Sequence, residues 1–213
     1  MVVLSGNLHT ESMCTAGRGE LMRKFKKVCS CSIACLLAYT AISYGGAPEH
    51  LSAVKNDSFL KYELVHPLHR VEGVSKDLSC TMDFDEATRT VQAATFVAEV
   101  MSFDSGNSSR DSHAMEVLDA ITYPEVSFTS KKIVESGQNL DVEGDLTFHG
   151  QTKPIDFPAT WASSGGKISV DGKADVSLTA FGIERPSLLL IPVEDTLHIA
   201  FTMVFSEPTQ GSH

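Results

Sequence analysis

The sequence predicts an all-β protein, an extended eight-stranded antiparallel barrel with one short helix near the barrel mouth. Three observations predict it: apolar and polar residues alternate along most of the chain after residue 57, turn residues separate the alternating stretches, and each stretch has one apolar side. A sheet with one dry face and one wet face is usually antiparallel. Eight strands are enough for such a barrel to hold one small apolar ligand.

Residues 139–161 show the alternation most clearly and predict a β-hairpin. Leu140 to Phe148 are apolar, or glycine, at every second position, and polar residues fill the positions between. The segment 149–154 is a predicted turn, after which Ile155, Phe157, Ala159 and Trp161 restart the pattern on the returning strand.

The other elements follow from the same pattern. In the strand 74–84, Val74, Leu78, Cys80, Met82 and Phe84 are expected on one face. A long irregular connection at 181–193 carries Pro186, Pro192 and four consecutive large apolar residues. The eight predicted strands cover 59–65, 74–84, 90–103, 125–134, 139–148, 155–161, 167–180 and 196–205.

The single predicted helix covers 109–118. Ser108 followed three residues later by Asp111 indicates a capping box, and Pro124 lies beyond the helix end. Ala114, Met115, Leu118 and Ile121 fit one apolar stripe, so we expect this face of the helix to pack on the barrel.

The amino-terminal part of the chain indicates export. Four basic residues follow Met22, and small apolar residues fill 28–42, which is the pattern of a secretory signal peptide with cleavage before Tyr44. A lipoprotein site at Cys35 and an uncleaved membrane anchor stay open as alternatives. The predicted organisation is an upstream extension at 1–21, a signal peptide at 22–43, a lead-in at 44–57, the barrel domain at 58–207 and a polar tail at 208–213. We therefore expect a periplasmic or secreted protein.

Composition excludes some function classes. The formal net charge is −10, which argues against binding nucleic acid. Four of the five cysteines precede residue 36, where Cys29, Cys31 and Cys35 lack the fourth ligand that structural zinc needs. Cys80 is alone in the barrel region and is expected to be a buried filler.

Three spaced motifs resemble those of YceI-like proteins, and the resemblance extends over about 59–205. The motifs are Arg110-Asp111-x-His113, then Tyr123-Pro124-x-x-x-Phe128, then Gly144-x-Leu146-Thr147-x-x-Gly150-x-Thr152-Lys153-Pro154, accompanied by His66 and Gly73. This resemblance implies a lipocalin-like, extended antiparallel β-barrel in the bacterial periplasm. It also implies that polyisoprenoids and related amphiphiles bind inside the barrel and that the protein is not an enzyme.

The candidate lipid-binding residues are the apolar side chains that share the inward phase of the strands. Whether they line a cavity or fill a packed core stays open at this point, because alternation predicts the direction of a side chain and not the space around it. These candidates are Tyr62, Leu64, Phe96, Val142, Leu146, Phe157, Leu197, Ile199, Phe201 and Met203.

Polar candidates are fewer. Arg110, Asp111 and His113 are candidate head-group or gate residues at the start of the helix, with an internal Arg–Asp pair and a helix cap as the alternative. Five histidines, at 66, 69, 113, 149 and 198, form no metal-binding motif, and no nucleophile motif is present. We therefore predict no metal site, no catalytic residue and no cofactor other than an isoprenoid- or quinone-type lipid held as a ligand.

The predicted function is that of an exported binding protein that sequesters or carries a long apolar amphiphile. Polyisoprenoids, prenyl quinones and fatty-acyl lipids all fit this description. We expect a monomer or homodimer that makes transient contact with membranes. Two alternatives stay open: a quinone- or metal-linked redox partner or enzyme, and a ligand-free stress or structural module.

Overall fold

The computed structural model describes residues 47–208, which form a curled antiparallel sheet with one α-helix. The predicted upstream extension, signal peptide and most of the polar tail lie outside these residues. The elements are β1 (Glu49–Ser52), β2 (Phe59–His66), β3 (His69–Ser75), β4 (Leu78–Asp85), β5 (Thr90–Glu99), a 3₁₀ turn (Val100–Ser102), α1 (Ser108–Val117), β6 (Glu125–Ser136), β7 (Asn139–Phe148), β8 (Gln151–Ser164), β9 (Lys167–Ser177), a second 3₁₀ turn (Thr179–Phe181), β10 (Ser187–Leu188), β11 (Ile191–Pro192) and β12 (Thr196–Ser206).

The main sheet runs in the order β1-β4-β5-β6-β7-β8-β9-β12-β2-β3, and every pairing in it is antiparallel. Two isolated β-bridges join residues at the edges of the sheet to other parts of the barrel. Ala53, just after β1, bridges to Phe205 of β12, and Val74 of β3 bridges to Asp104. The predicted all-β, barrel-like fold is therefore confirmed.

The strand count differs from the predicted eight. The main sheet has ten strands, because the predicted strand 74–84 is two strands and the predicted lead-in contains β1. A turn at Lys76 and Asp77 separates β3 from β4, and Ser75 Oγ accepts a hydrogen bond from the Asp77 N–H at 3.2 Å. The turn shifts the alternation between the two strands. Val74 pairs with Lys61, on the face opposite to Leu78. The prediction that Val74 and Leu78 share one face was therefore wrong.

The β7–β8 hairpin forms where it was predicted, with a shorter turn. Only His149 and Gly150 lie outside the strands, both at positive φ (48° and 71°), as a two-residue type I′ turn requires. Gln151 to Pro154, predicted as turn, already pair with β7. Outward Thr147 and Thr152 join their hydroxyls across the hairpin at 2.8 Å.

The predicted helix is present, but its cap and its last apolar position differ from the prediction. The N-cap is Asn107, whose side chain accepts a hydrogen bond from the Arg110 N–H at 3.1 Å, and not Ser108. Ala114 and Leu118 contact the barrel interior, whereas Ile121 is 95% exposed because the helix ends at Val117. Among residues 47–208, no helix has the length and apolar character needed to cross a bilayer.

The connection between β9 and β12 is more ordered than predicted. Residues 181–193 include the small hairpin of β10 and β11, which pairs Leu188 with Ile191 around a two-residue turn. At the base of the connection, Ser177 Oγ and the Thr179 N–H donate hydrogen bonds to the Asp195 carboxylate. These bonds hold the pKa of Asp195 below its usual value.

Candidate functional site

A cavity of about 510 Å³ lies inside the curled sheet. Its walls are almost entirely apolar side chains from the inward faces of β2 to β9 and β12, with α1 along one side. This volume falls within the range of small-molecule sites, which are about 300–1,000 Å³ and mostly apolar.

The structure places all ten sequence-predicted candidates on the wall of this cavity. Leu64, Phe96, Phe157, Leu197, Ile199 and Phe201 are only partly buried although they point inward. Tyr62 is half-buried in the same way, while Val142, Leu146 and Met203 are buried. Inward side chains that keep exposed surface are those that face empty space, so the middle of the barrel is a lined cavity.

One end of the barrel is packed shut. Along β12, burial increases from Phe201 to Met203 (4% exposed) and Phe205 (1% exposed). Phe84 (1% exposed) and Ile168 (0% exposed) complete this packed end, where Trp161 meets the edge of Phe84 at a ring-centroid distance of 6.0 Å.

The opposite end carries the connections β2–β3, β5–β6, β7–β8 and β9–β12, and we call it the mouth end. Four residues at this end, His69, His113, Ser187 and Leu188, line the cavity and are also exposed to solvent. The cavity therefore reaches the surface at the mouth end.

Aromatic rings gain room in the cavity wall because glycines lie beneath them. Tyr62 lies over Gly73, which is its register partner on β3, and Phe201 lies over Gly172, its partner on β9. A Cβ atom at either glycine would overlap the ring. The rings therefore lie back against the sheet, and the cavity keeps its width.

A row of aromatic contacts crosses the cavity. The rings of Phe128 and Phe157 lie 5.2 Å apart, and those of Phe157 and Phe201 lie 5.7 Å apart in an edge-to-face arrangement. Phe128 was not among the predicted ligand-contacting residues, although its inward phase on β6 could have indicated it.

The three candidate gate residues also line the cavity. Arg110 donates from Nε to Ser105 Oγ at 3.1 Å and from a terminal nitrogen to the Ser105 carbonyl at 3.4 Å. Asp111 accepts hydrogen bonds from the N–H and hydroxyl of Ser105. The Ser105 hydroxyl therefore links Arg110 to Asp111 without a direct ion pair, and both the gate role and the structural alternative stay predictions.

Tyr62 connects this polar group to the apolar wall. Burial raises the pKa of its hydroxyl, the Asp111 carboxylate raises it further, and the Arg110 guanidinium lowers it. Its ring packs against Phe103 at a centroid distance of 5.6 Å. The Tyr62 hydroxyl, the Arg110 guanidinium and the Asp111 carboxylate therefore form a small polar group on a mostly apolar cavity wall.

Two histidines at the mouth end were not predicted as part of the site. His66 is 3% exposed, accepts the Leu68 N–H at Nδ1 (3.1 Å) and therefore donates from Nε2 to the Ile191 carbonyl (3.0 Å). The His69 ring lies 5.0 Å from the His66 ring. His66 thus fastens the β10–β11 hairpin to the β2–β3 turn.

The remaining reactive groups are dispersed. His149 bonds to the Phe181 carbonyl, and His198 pairs with Asp175 at 2.7 Å. Residues 47–208 contain no group of three or more His, Cys, Asp or Glu side chains placed to hold a metal ion. Cys80 lines the cavity, and burial raises the pKa of its thiol to about 12.

The fold and the site define a class: a lipocalin-like antiparallel barrel with one internal apolar cavity, open at one end. The family model described as the YceI-like domain matches residues 52–205. The chain belongs to the YceI-like family.

Comparison with individual proteins agrees with this. A UPF0312 protein of Pseudomonas syringae pv. tomato is 31% identical over 154 residues, which cover 68% of this chain and 75% of that protein. The crystal structure of Burkholderia cenocepacia BcnA is similar with a TM-score of 0.65 and 26% identity, over 71% of this chain and 98% of BcnA.

A second similar structure is a domain from Saccharophagus degradans. It has a TM-score of 0.59 and 16% identity, and the match covers 76% of this chain and 99% of that domain. That structure is described as a polyisoprenoid-binding domain implicated in plant cell wall breakdown. At this identity, the likeness shows a shared fold.

Proposed function

We propose that this protein binds a long apolar amphiphile, such as a polyisoprenoid, a prenyl quinone or a fatty-acyl lipid, inside the barrel. The observation that carries the proposal is the cavity of about 510 Å³, whose walls are mostly apolar and carry most of their polar side chains at the mouth end. Each methylene group moved from water into such a cavity contributes about 0.8 kcal/mol. A chain of several isoprene units would therefore bind through its length rather than through polar contacts.

The polyisoprenoid-binding description of the Saccharophagus domain supports the same ligand class, because its fold matches nearly over its full length. The ten predicted lipid-contacting residues are the cavity wall that would touch the ligand chain. The proposal is one of binding and not of catalysis.

The polar end of the ligand would lie near the mouth end, beside Arg110 and Tyr62. The Arg110 guanidinium suits a phosphate or a carbonyl oxygen, and the neutral Tyr62 hydroxyl can donate a hydrogen bond. Asp111 would orient Arg110 indirectly, since both bond to Ser105. His113, exposed at the mouth end, would contact the head group or the surrounding water.

The biological role that fits this activity is sequestration or transport of the ligand outside the cytoplasm, in the periplasm or after secretion. The signal-peptide pattern at 22–43 supports this placement. A carrier of this kind would make transient contact with membranes and would work as a monomer or homodimer.

Two measurements test the proposal. Native mass spectrometry of the protein purified from its own host should show a co-purified lipid, and the delipidated protein should take up an added prenyl quinone. Ala174→Trp, which places a large ring in the cavity, should abolish uptake, whereas Lys173→Trp on the outward face of the same strand should not. A protein with no lipid that also takes up no quinone would contradict the proposal and favour the ligand-free module.

A further inference from the structure

The exposed apolar side chains of the barrel are not scattered. The eight large apolar residues exposed within residues 47–208 include only one that belongs to a strand of the main sheet, Val134 on β6. The other seven lie in the β2–β3, β5–β6 and β9–β12 connections, all at the mouth end. Polar loops are the norm at barrel ends, so this concentration requires an explanation.

The concentration is highest at the β10–β11 hairpin. Leu190 is 97% exposed and Leu189 is 77% exposed, while Leu188 and Ile191 are partly exposed beside them. Leu68, at the tip of the β2–β3 turn, is 62% exposed and is joined to the hairpin by His66, which bonds both to the Leu68 N–H and to the Ile191 carbonyl. We call these five residues the apolar tip.

The turn residues themselves are unusual. Leu189 and Leu190 have φ values of 53° and 65°, the left-handed conformation that a two-residue type I′ turn demands at both positions. Asparagine and glycine adopt this conformation readily, whereas leucine does so at a conformational cost. Neither leucine therefore favours the conformation of the turn, and both expose apolar surface to water at a cost in free energy.

We propose that the apolar tip inserts into the surface of a lipid bilayer and so places the cavity mouth against the membrane. This inference rests on the proposed function, because Leu188 belongs to both the tip and the cavity wall. A lipid could then pass between the bilayer and the cavity without crossing water.

The size and charge of the tip favour a bilayer over a protein partner. Stable protein interfaces use about 20–30 residues on each side, whereas the tip offers five, four on the β10–β11 hairpin and one on the β2–β3 turn. Residues 186–193 contain no charged side chain, and Glu184, Arg185 and Glu194 flank them without a basic excess. Insertion should therefore be hydrophobic, should occur on zwitterionic vesicles and should be insensitive to salt.

The first test places a reporter on the tip. In the full chain, Leu190→Trp should be quenched by phosphatidylcholine vesicles that contain brominated lipid. Val134→Trp is the matched control on the opposite half of the barrel, and the single native Trp161 reports the packed end; neither should be quenched. An unquenched tryptophan at position 190 would overturn the proposal. The exposed tip would then be better explained as a contact site for a protein partner.

The second test removes the tip without harming the turn. Combining Leu189→Asn with Leu190→Gly gives residues suited to the observed φ values, so the folded protein should be as stable as the original or more so. Its partition onto phosphatidylcholine vesicles should fall about 100-fold, since two leucines are lost. Unchanged partition would contradict the proposal.

A third measurement separates this inference from the proposed function. The double variant and the original protein should take up detergent-dispersed prenyl quinone equally when no vesicle is present. If the original protein takes up quinone while its tip stays unquenched on vesicles, only the membrane proposal fails. If neither protein takes up quinone, the proposed function fails. The quenching of Leu190→Trp by brominated vesicles then decides independently whether the tip inserts.

Discussion

The Phe201 ring lies directly over Gly172, the residue opposite it on the neighbouring strand, and a Cβ atom there would overlap the ring. Phe201 is only partly buried because its other face looks into the cavity. Phe205, four residues along the same strand, faces the same way and is fully packed. The two phenylalanines therefore allow the middle of the cavity to be compared with its packed end.

We expect Phe205→Ala to cost about 3–5 kcal/mol of stability. It should change ligand affinity less than Phe201→Ala does, because Phe205 lines only the packed end of the cavity. Phe201→Ala should cost less stability, since the ring has fewer packed neighbours, and should weaken prenyl quinone binding more. Urea denaturation and a quinone titration on both variants check this pair. Equal stability losses with unchanged binding would show that Phe201 is a core residue.

Gly172→Ala should narrow the cavity. The new methyl group cannot share space with the Phe201 ring, so the ring must turn toward the cavity and occupy ligand volume. Quinone affinity should fall with only a modest change in stability, as titration and thermal unfolding would show. Adding Phe201→Leu to Gly172→Ala should restore part of the affinity, and a failure to do so would contradict this account.

Stability should decline at alkaline pH through Cys80. Its thiol pKa is about 12 in the folded protein, against about 8.5 in an unfolded chain. Above pH 8.5 the unfolded state loses this proton and the folded state keeps it, so unfolding becomes more favourable by up to about 1.4 kcal/mol per pH unit. Cys80→Ala should be less stable at neutral pH but should show a shallower decline between pH 8 and pH 10.5. Parallel declines in both proteins would contradict the assignment.

Glu135 should be a stabilising residue near the packed end. Its carboxylate accepts the Trp161 indole N–H at 3.0 Å and the Val91 backbone N–H at 3.2 Å, where β5 and β6 no longer pair directly. Glu135→Ala leaves both donors without this acceptor and should cost about 1–3 kcal/mol. Glu135→Gln, which keeps one acceptor oxygen, should cost less. Trp161 fluorescence during urea unfolding provides the readout, and equal costs would argue for a packing effect.

Arg110 should select among ligand head groups. Arg110→Gln removes the charge near the cavity mouth, so a polyisoprenyl phosphate should lose affinity about ten-fold or more, while an uncharged prenyl alcohol of equal length should bind as before. Competition binding with the two ligands measures this. An equal loss for both ligands would indicate that Arg110 acts through the position of α1.

The alternation of apolar and polar residues was enough to predict the barrel and the inward direction of the ten cavity residues. It could not predict the cavity itself, because Phe201 and Phe205 have the same phase and differ only in what lies across the barrel. The turn between β3 and β4 was missed because Ser75, a buried polar residue held by the Ser102 hydroxyl at 2.6 Å, interrupts the apolar pattern. The β10–β11 hairpin was predicted as irregular connection because its turn residues are Leu189 and Leu190, and leucine is rarely found in a two-residue hairpin turn.

The stopper formed by Phe84, Ile168 and Phe205 has a mechanical consequence. A ligand whose apolar tail enters first must leave with its head group first through the same open end. Release therefore reverses the path of binding. A barrel closed at one end cannot form a continuous channel between two compartments. A barrel that carried a lipid between two membranes, as proposed above, would have to leave the first membrane and present the same end to the second.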